Sequence, residues 1–156
     1  MTTPVPSPSP VADSGDPLAV AADAENAAIF AYGVITAYVA AARRRMVGDY
    51  AAEHRARRDE IDRTISAAGG TPPLAAAGYT LPVQVTDPES AAQAALAAEV
   101  DCTTAYRALL EQADDEAGRR IGVDGLSDCA VRAATWRALL QETPVTVAFP
   151  GSPVSG

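Results

Sequence analysis

At 156 residues the chain is long enough for one domain with a single core and too short for two. A formal net charge of −8 argues against a nucleic-acid partner, because phosphate binding takes a basic surface, and against anionic membrane surfaces for the same reason. Its 2 cysteines imply no disulfide framework.

Residues 1–15, rich in Pro, Ser and Thr, have nothing to bury and are expected to be disordered or loosely extended, leaving 16–156 as the domain. This arm has neither a basic leader nor an apolar run, so a cytoplasmic location is expected. Structure should begin at Asp16, a capping carboxylate followed by Pro17, which fills a first-turn position where no donor is needed. From Leu18 the apolar residues recur at three- and four-residue steps through Ala21, Ala22, Ala28, Ile29, Tyr32, Ile35 and Val39. One carboxylate, Glu25, sits in the middle of that face. The apolar run from Ala27 to Ala42 is shorter than the roughly 20 residues a membrane span needs, so it reads as a bundle helix.

The second helix should run to about Ala68, where Gly69 and Gly70 stop it. His54, the chain's only histidine, shares a stripe with Tyr50, Ile61 and Ile65 and therefore faces inward. An inward imidazole is either a core group hydrogen-bonded to a neighbour or a metal ligand. Arg58, one turn further on, is placed to counter a core carboxylate. The segment that follows alternates Tyr79, Leu81, Val83 and Val85 with small or polar residues between prolines, the pattern of an extended crossover laid on apolar surface.

A third helix opens at Asp87 and Pro88 and again carries one mid-stripe carboxylate, Glu99, among Ala92, Ala95, Leu96, Cys102 and Tyr106. The fourth begins between Asp114 and Ser127. Gly118, Gly122 and Gly125 weaken it by about 1 kcal/mol each, so a break near Gly125 is expected. Its firm part, Asp128 to Gln141, turns Cys129, Arg132, Ala133 and Trp136 inward. A turn centred near Asp115 sets Glu99 level with Arg132 and Cys102 level with Cys129. The former pair suits a buried carboxylate and guanidinium; the latter allows a disulfide by geometry, with two reduced thiols acting as small apolar groups the expected state in a cytoplasm. In the ending, Val145, Val147 and Phe149 repeat the extended pattern and are expected to cover the bundle.

Four helices joined by a short link, a long crossover and a short link describe an all-α, ferritin-like four-helix bundle with an extended C-terminal tail. The stretches AENAAIFAYGVI, EHRARRDEI, LPVQVTDPESA and PVTVAFPG resemble an actinobacterial family of the ferritin-like superfamily catalogued as a domain of unknown function. The resemblance implies the fold, and with it a first turn near Val39 to Ala42 that sets Glu25 level with His54. The single glycine Gly48 would instead place the turn later and hold the two apart.

A dinuclear iron or manganese centre in such a bundle takes one Glu from each of two helices and a Glu-x-x-His from each of the other two. Glu25, Glu99 and His54 match three of those positions, but Ala51 stands where the second helix needs its glutamate and the fourth helix has no histidine. Phosphate loops, nucleophile elbows and zinc-peptidase motifs are missing too, so no catalytic residue is assigned. The expected function is a non-catalytic binding or structural module with a degenerate di-metal site and no cofactor, acting on a protein partner or as a homodimer. In it Glu99 is neutralised by Arg132 and Arg58. The alternative keeps one iron, manganese or zinc on Glu25, His54 and Glu99, for a redox or storage role.

Overall fold

The computed structural model describes residues 15–153, so that the arm expected over 1–15 lies, Gly15 apart, outside the described residues. Four helices form the bundle: α1 Pro17–Ile35, α2 Arg44–Ala67, α3 Pro88–Gln112 and α4 Glu116–Leu139. α1 packs on α2 and α3, and α3 packs on α4. Short links make α1–α2 and α3–α4 antiparallel. The crossover from residue 68 to 87 carries the chain back, so that α2 and α3 run parallel and α1 lies antiparallel to α3.

Three of the helices, α1, α3 and α4, start where a side chain takes up free N–H groups, whereas α2 has no side-chain cap and follows directly on a 3₁₀ turn. The Asp16 carboxylate accepts from the Leu18 N–H at 3.1 Å, and that of Asp115 from the Gly118 N–H at 2.6 Å. Asp87 and Ser90 form a reciprocal capping box around Pro88. α2 stops in a Schellman motif, with the N–H groups of Gly69 and Gly70 donating to the carbonyls of Ser66 and Ile65. The end of α1 is set differently. Thr36 donates its hydroxyl to the Tyr32 carbonyl at 2.6 Å, and a single 3₁₀ turn, Ala41–Arg43, leads into α2. The reversal therefore falls at 36–43, and Gly48 lies inside α2.

The crossover follows its alternation: Val85 is buried, Leu81 and Val83 pack half-buried against the core, and the Tyr79 ring lies tilted against Phe30, centroids 5.8 Å apart, while its hydroxyl donates to Asp23. By length and composition α1 could cross a bilayer, with 19 residues from Pro17. Its inner face is instead occupied by the bundle, with Glu25 and Asn26 buried at mid-length.

Two expectations need correction. α4 has no break at Gly125 but runs unbroken from Glu116 to Leu139. The reason is packing: a Cβ on Gly125 would lie 2.4 Å from the Tyr106 ring, so the missing side chain lets α3 approach. Tyr106 is buried and tied by its hydroxyl to Glu25, so it cannot swing away. Gly125→Ala would gain about 1 kcal/mol of helix propensity and lose about 1 to 3 to overpacking. We expect a net loss, read as a lower urea midpoint; a midpoint at or above the parent's would mean the Tyr106 ring shifts freely. The second correction concerns the tail. Phe149 is 70% exposed, Val147 45% and Val145 38%, so these side chains do not seal the bundle. The tail is pinned at its ends, where the Glu142 N–H reaches the Arg137 carbonyl at 2.9 Å and the Gly151 backbone presses on Thr103. Between those points it stands off as one wall of a cleft.

Candidate site at the bundle centre

Glu25, His54, Glu99 and Arg132, one from each helix, meet in the core. The imidazole lies between the two carboxylates, with Nδ1 2.6 Å from Glu25 Oε2 and Nε2 3.0 Å from Glu99 Oε1. Both ring nitrogens face acceptors, so both carry protons and the ring is an imidazolium. Burial alone would lower the pKa of His54, but the hydrogen bonds and charges of Glu25 and Glu99 outweigh it and hold the group up at about 10.

Glu99 is the hub. Its Oε1 accepts from Tyr32 Oη at 2.5 Å and from Arg132 Nε at 3.0 Å as well as from His54, and its Oε2 lies 3.1 Å from the same Nε. Burial would raise the Glu99 pKa, yet His54, Arg132 and Tyr32 together keep it below the usual range. Arg132 does not offer Glu99 its two-pronged fork. One N–H is shared between both oxygens, while Nη1 goes out to Glu53 at 2.8 Å and Nη2 to Cys129 Sγ at 3.2 Å. Two anions and two cations thus share the core, and buried charge is balanced without solvent.

Arg58 does not join them. Its guanidinium turns outward to Asp59 at 2.7 Å and reaches only Asn26 on α1. At the edge of the stripe a long side chain gains more by keeping its charge in water beside two aspartates than by desolvating it.

Sequence reasoning missed the aromatic partners. Tyr106 donates to Glu25 and Tyr32 to Glu99, and Trp136 Nε1 donates to Tyr32 Oη at 2.9 Å. The signal was present as a repeat. Tyr32 stands two turns beyond Glu25 and Tyr106 two turns beyond Glu99. In antiparallel helices that spacing puts each tyrosine level with the other helix's glutamate. Burial and the neighbouring carboxylate raise the pKa of both phenols, so both remain donors.

Cys102 and Cys129 are buried and free. A hydrogen bond with Cys129, together with burial, pushes the Cys102 thiol well up. Ligand atoms of Glu25, His54 and Cys102 lie within 4.8 Å of one another. Glu99 is on the far edge of the imidazole, so the ring separates the two carboxylates instead of gathering them around one point.

A dinuclear centre takes two single glutamates and two Glu-x-x-His pairs, and of that set Glu25, Glu99 and His54 stand at the bundle centre. α4 supplies Arg132 and Cys129 at the centre, with the Arg132 guanidinium 3.0 Å from Glu99.

Known structures resemble most of the chain. A conserved hypothetical protein, rv2844, from Mycobacterium tuberculosis is 38% identical, with a TM-score of 0.77 over 80% of this chain and 94% of that one. A dodecameric thioferritin from Bacteroides fragilis is 21% identical, with a TM-score of 0.67 over 80% and 82%. Ferritin-like, diiron-carboxylate proteins from Bacillus anthracis str. Ames are 19% identical, with a TM-score of 0.64 over 80% and 92%. The last two likenesses carry the fold alone. No curated protein matches. The family described as a domain of unknown function, DUF4439, matches across residues 17–154. The chain belongs to that family and has the ferritin-like fold.

Proposed function

We propose that this protein is a non-catalytic binding or structural module, in which an internal ion network stands where diiron bundles hold their metals. One observation carries the reading. Both nitrogens of His54 and all four oxygens of Glu25 and Glu99 already have protein partners. A metal would have to displace the imidazolium protons and several short hydrogen bonds before it met a ligand atom. Such a module works through its surface, on a protein partner or on a second copy of itself. A reducing cytoplasm suits its two buried thiols.

A second reading is favoured by the cluster of Glu25, His54 and Cys102: one iron, manganese or zinc bound there for a redox or storage role. Elemental analysis of the full chain, purified without a histidine tag, separates the two. The ion-network reading expects far less than one equivalent of any transition metal, unchanged in Cys102→Ser. Near-stoichiometric metal that is lost in Cys102→Ser would overturn it.

A further inference from the structure

We propose that the cleft between the C-terminal tail and the outer faces of α3 and α4 binds a single-chain amphiphile with an anionic head, a long-chain fatty acid. The cleft encloses about 890 Å³, within the range of small-molecule sites. Of the eight exposed large apolar side chains among the described residues, four line it: Val131, Val145, Val147 and Phe149. The others, Val20, Tyr38, Leu74 and Val123, are spread over α1, the first turn, the crossover and α4. Scattered apolar residues need no explanation, but a concave cluster does.

On the helical wall the threonine hydroxyls are already taken, and the tail adds only the hydroxyls of Thr146 and Ser152. Thr103 and Thr104 give their hydroxyls to the Val100 carbonyl at 2.7 and 3.1 Å, and Thr135 gives its own to Val131 at 3.1 Å. With their hydroxyls turned back to the helix backbone, these three leave their methyl groups for an alkyl chain. Arg137 is the one charged residue of the lining, and among the described residues it has no carboxylate partner, whereas neighbouring Arg107 is paired with Glu111. An apolar trough beside one unpaired guanidinium is complementary to an alkyl carboxylate, the fork taking both oxygens. The trough keeps its shape because the tail is fixed at its far end. Gly151, at φ 75°, packs so closely that a Cβ there would lie 2.3 Å from the Thr103 carbonyl oxygen. A second copy of the chain fits less well, since entering a concave cleft takes a protruding apolar ridge, and the remaining exposed apolar residues do not form one.

The test is titration of the full chain with cis-parinaric acid, a fluorescent fatty acid, below its micelle concentration, followed by displacement with palmitate or hexadecanol. Saturable one-to-one binding is expected. Val131→Asp and Phe149→Asp, on opposite walls and both at exposed positions, should each weaken it at least tenfold without lowering the melting temperature. Arg137→Glu should weaken palmitate at least tenfold and leave hexadecanol unchanged. The proposal fails if binding does not saturate or both wall variants bind like the parent. Equal effects of Arg137→Glu on acid and alcohol would remove the anionic head from it. A parent that sediments as a dimer and becomes a monomer in Val131→Asp would assign the cleft to self-association and overturn the proposal.

Discussion

Arg132→Ala is expected to lower the unfolding free energy by about 3 to 5 kcal/mol, the range seen when one member of a buried ion pair is removed. Arg132 is 5% exposed and its guanidinium is the fixed cation against Glu99, so its loss strands an anion that water cannot reach. Glu53→Gln gives the contrast. It removes another carboxylate partner of Arg132, but Glu53 is 57% exposed, and screening limits the cost to about 1 kcal/mol or less. Replacing Glu99 and Arg132 together by leucine and methionine does not restore neutrality, as it would for an isolated pair, because His54 Nε2 and the Tyr32 hydroxyl then lose their acceptor. Urea unfolding of the three variants decides the matter. An Arg132→Ala protein as stable as the parent would mean that Glu99 is neutralised some other way.

Stability should also fall as the solution becomes alkaline. The folded chain holds the His54 proton up to about pH 10, whereas an unfolded histidine releases it near 6.5. Below 6.5 both states are protonated and the contribution is complete; between 6.5 and 10 only the folded state carries the proton, and the contribution drains away as pH rises. The slope for one proton is about 1.4 kcal/mol per pH unit. Cys102, whose thiol is also held up, adds a fall of the same sign near and above its ordinary value of 9.0, so the measurement belongs between pH 7 and 8.5. Glu99 acts in the opposite direction, its contribution being lost as pH drops below the usual carboxylate range. In His54→Gln the alkaline slope should vanish. A parent whose urea midpoint is level from pH 7 to 8.5 would show that the imidazole is not the core's second cation.

The parts of this architecture written into local sequence were those governed by period and caps. Asp16, Asp87 and the Gly69–Gly70 pair mark helix ends because each satisfies backbone groups on its own stretch of chain. The alternation ending at Val85 marks the crossover for the same local reason. The site was legible only as far as single inward charges on apolar stripes, which picked out Glu25, His54, Glu99 and Arg132. What those charges touch depends on where α1 turns into α2. That turn, at 36–43, carries no glycine or proline to mark it, whereas Gly48 lies inside α2. Arg58 and the Gly125 region misled because their outcome is tertiary: one follows water, and the other follows the approach of Tyr106. The tail misled because alternation tells which side chains share a face, not whether anything is there to meet them.

Because the central network takes at least one donor or acceptor from every helix, no three helices can form a finished core without the fourth. A bundle lacking α2 leaves both glutamates short of a cation, and one lacking α4 leaves Glu99 without its guanidinium and Tyr32 without its indole. Partly assembled forms are penalised by exposed or unmatched charge as well as by missing apolar contact, so the chain has little to gain from folding in pieces. The effects of changes at these positions on different helices are therefore coupled and should not simply add.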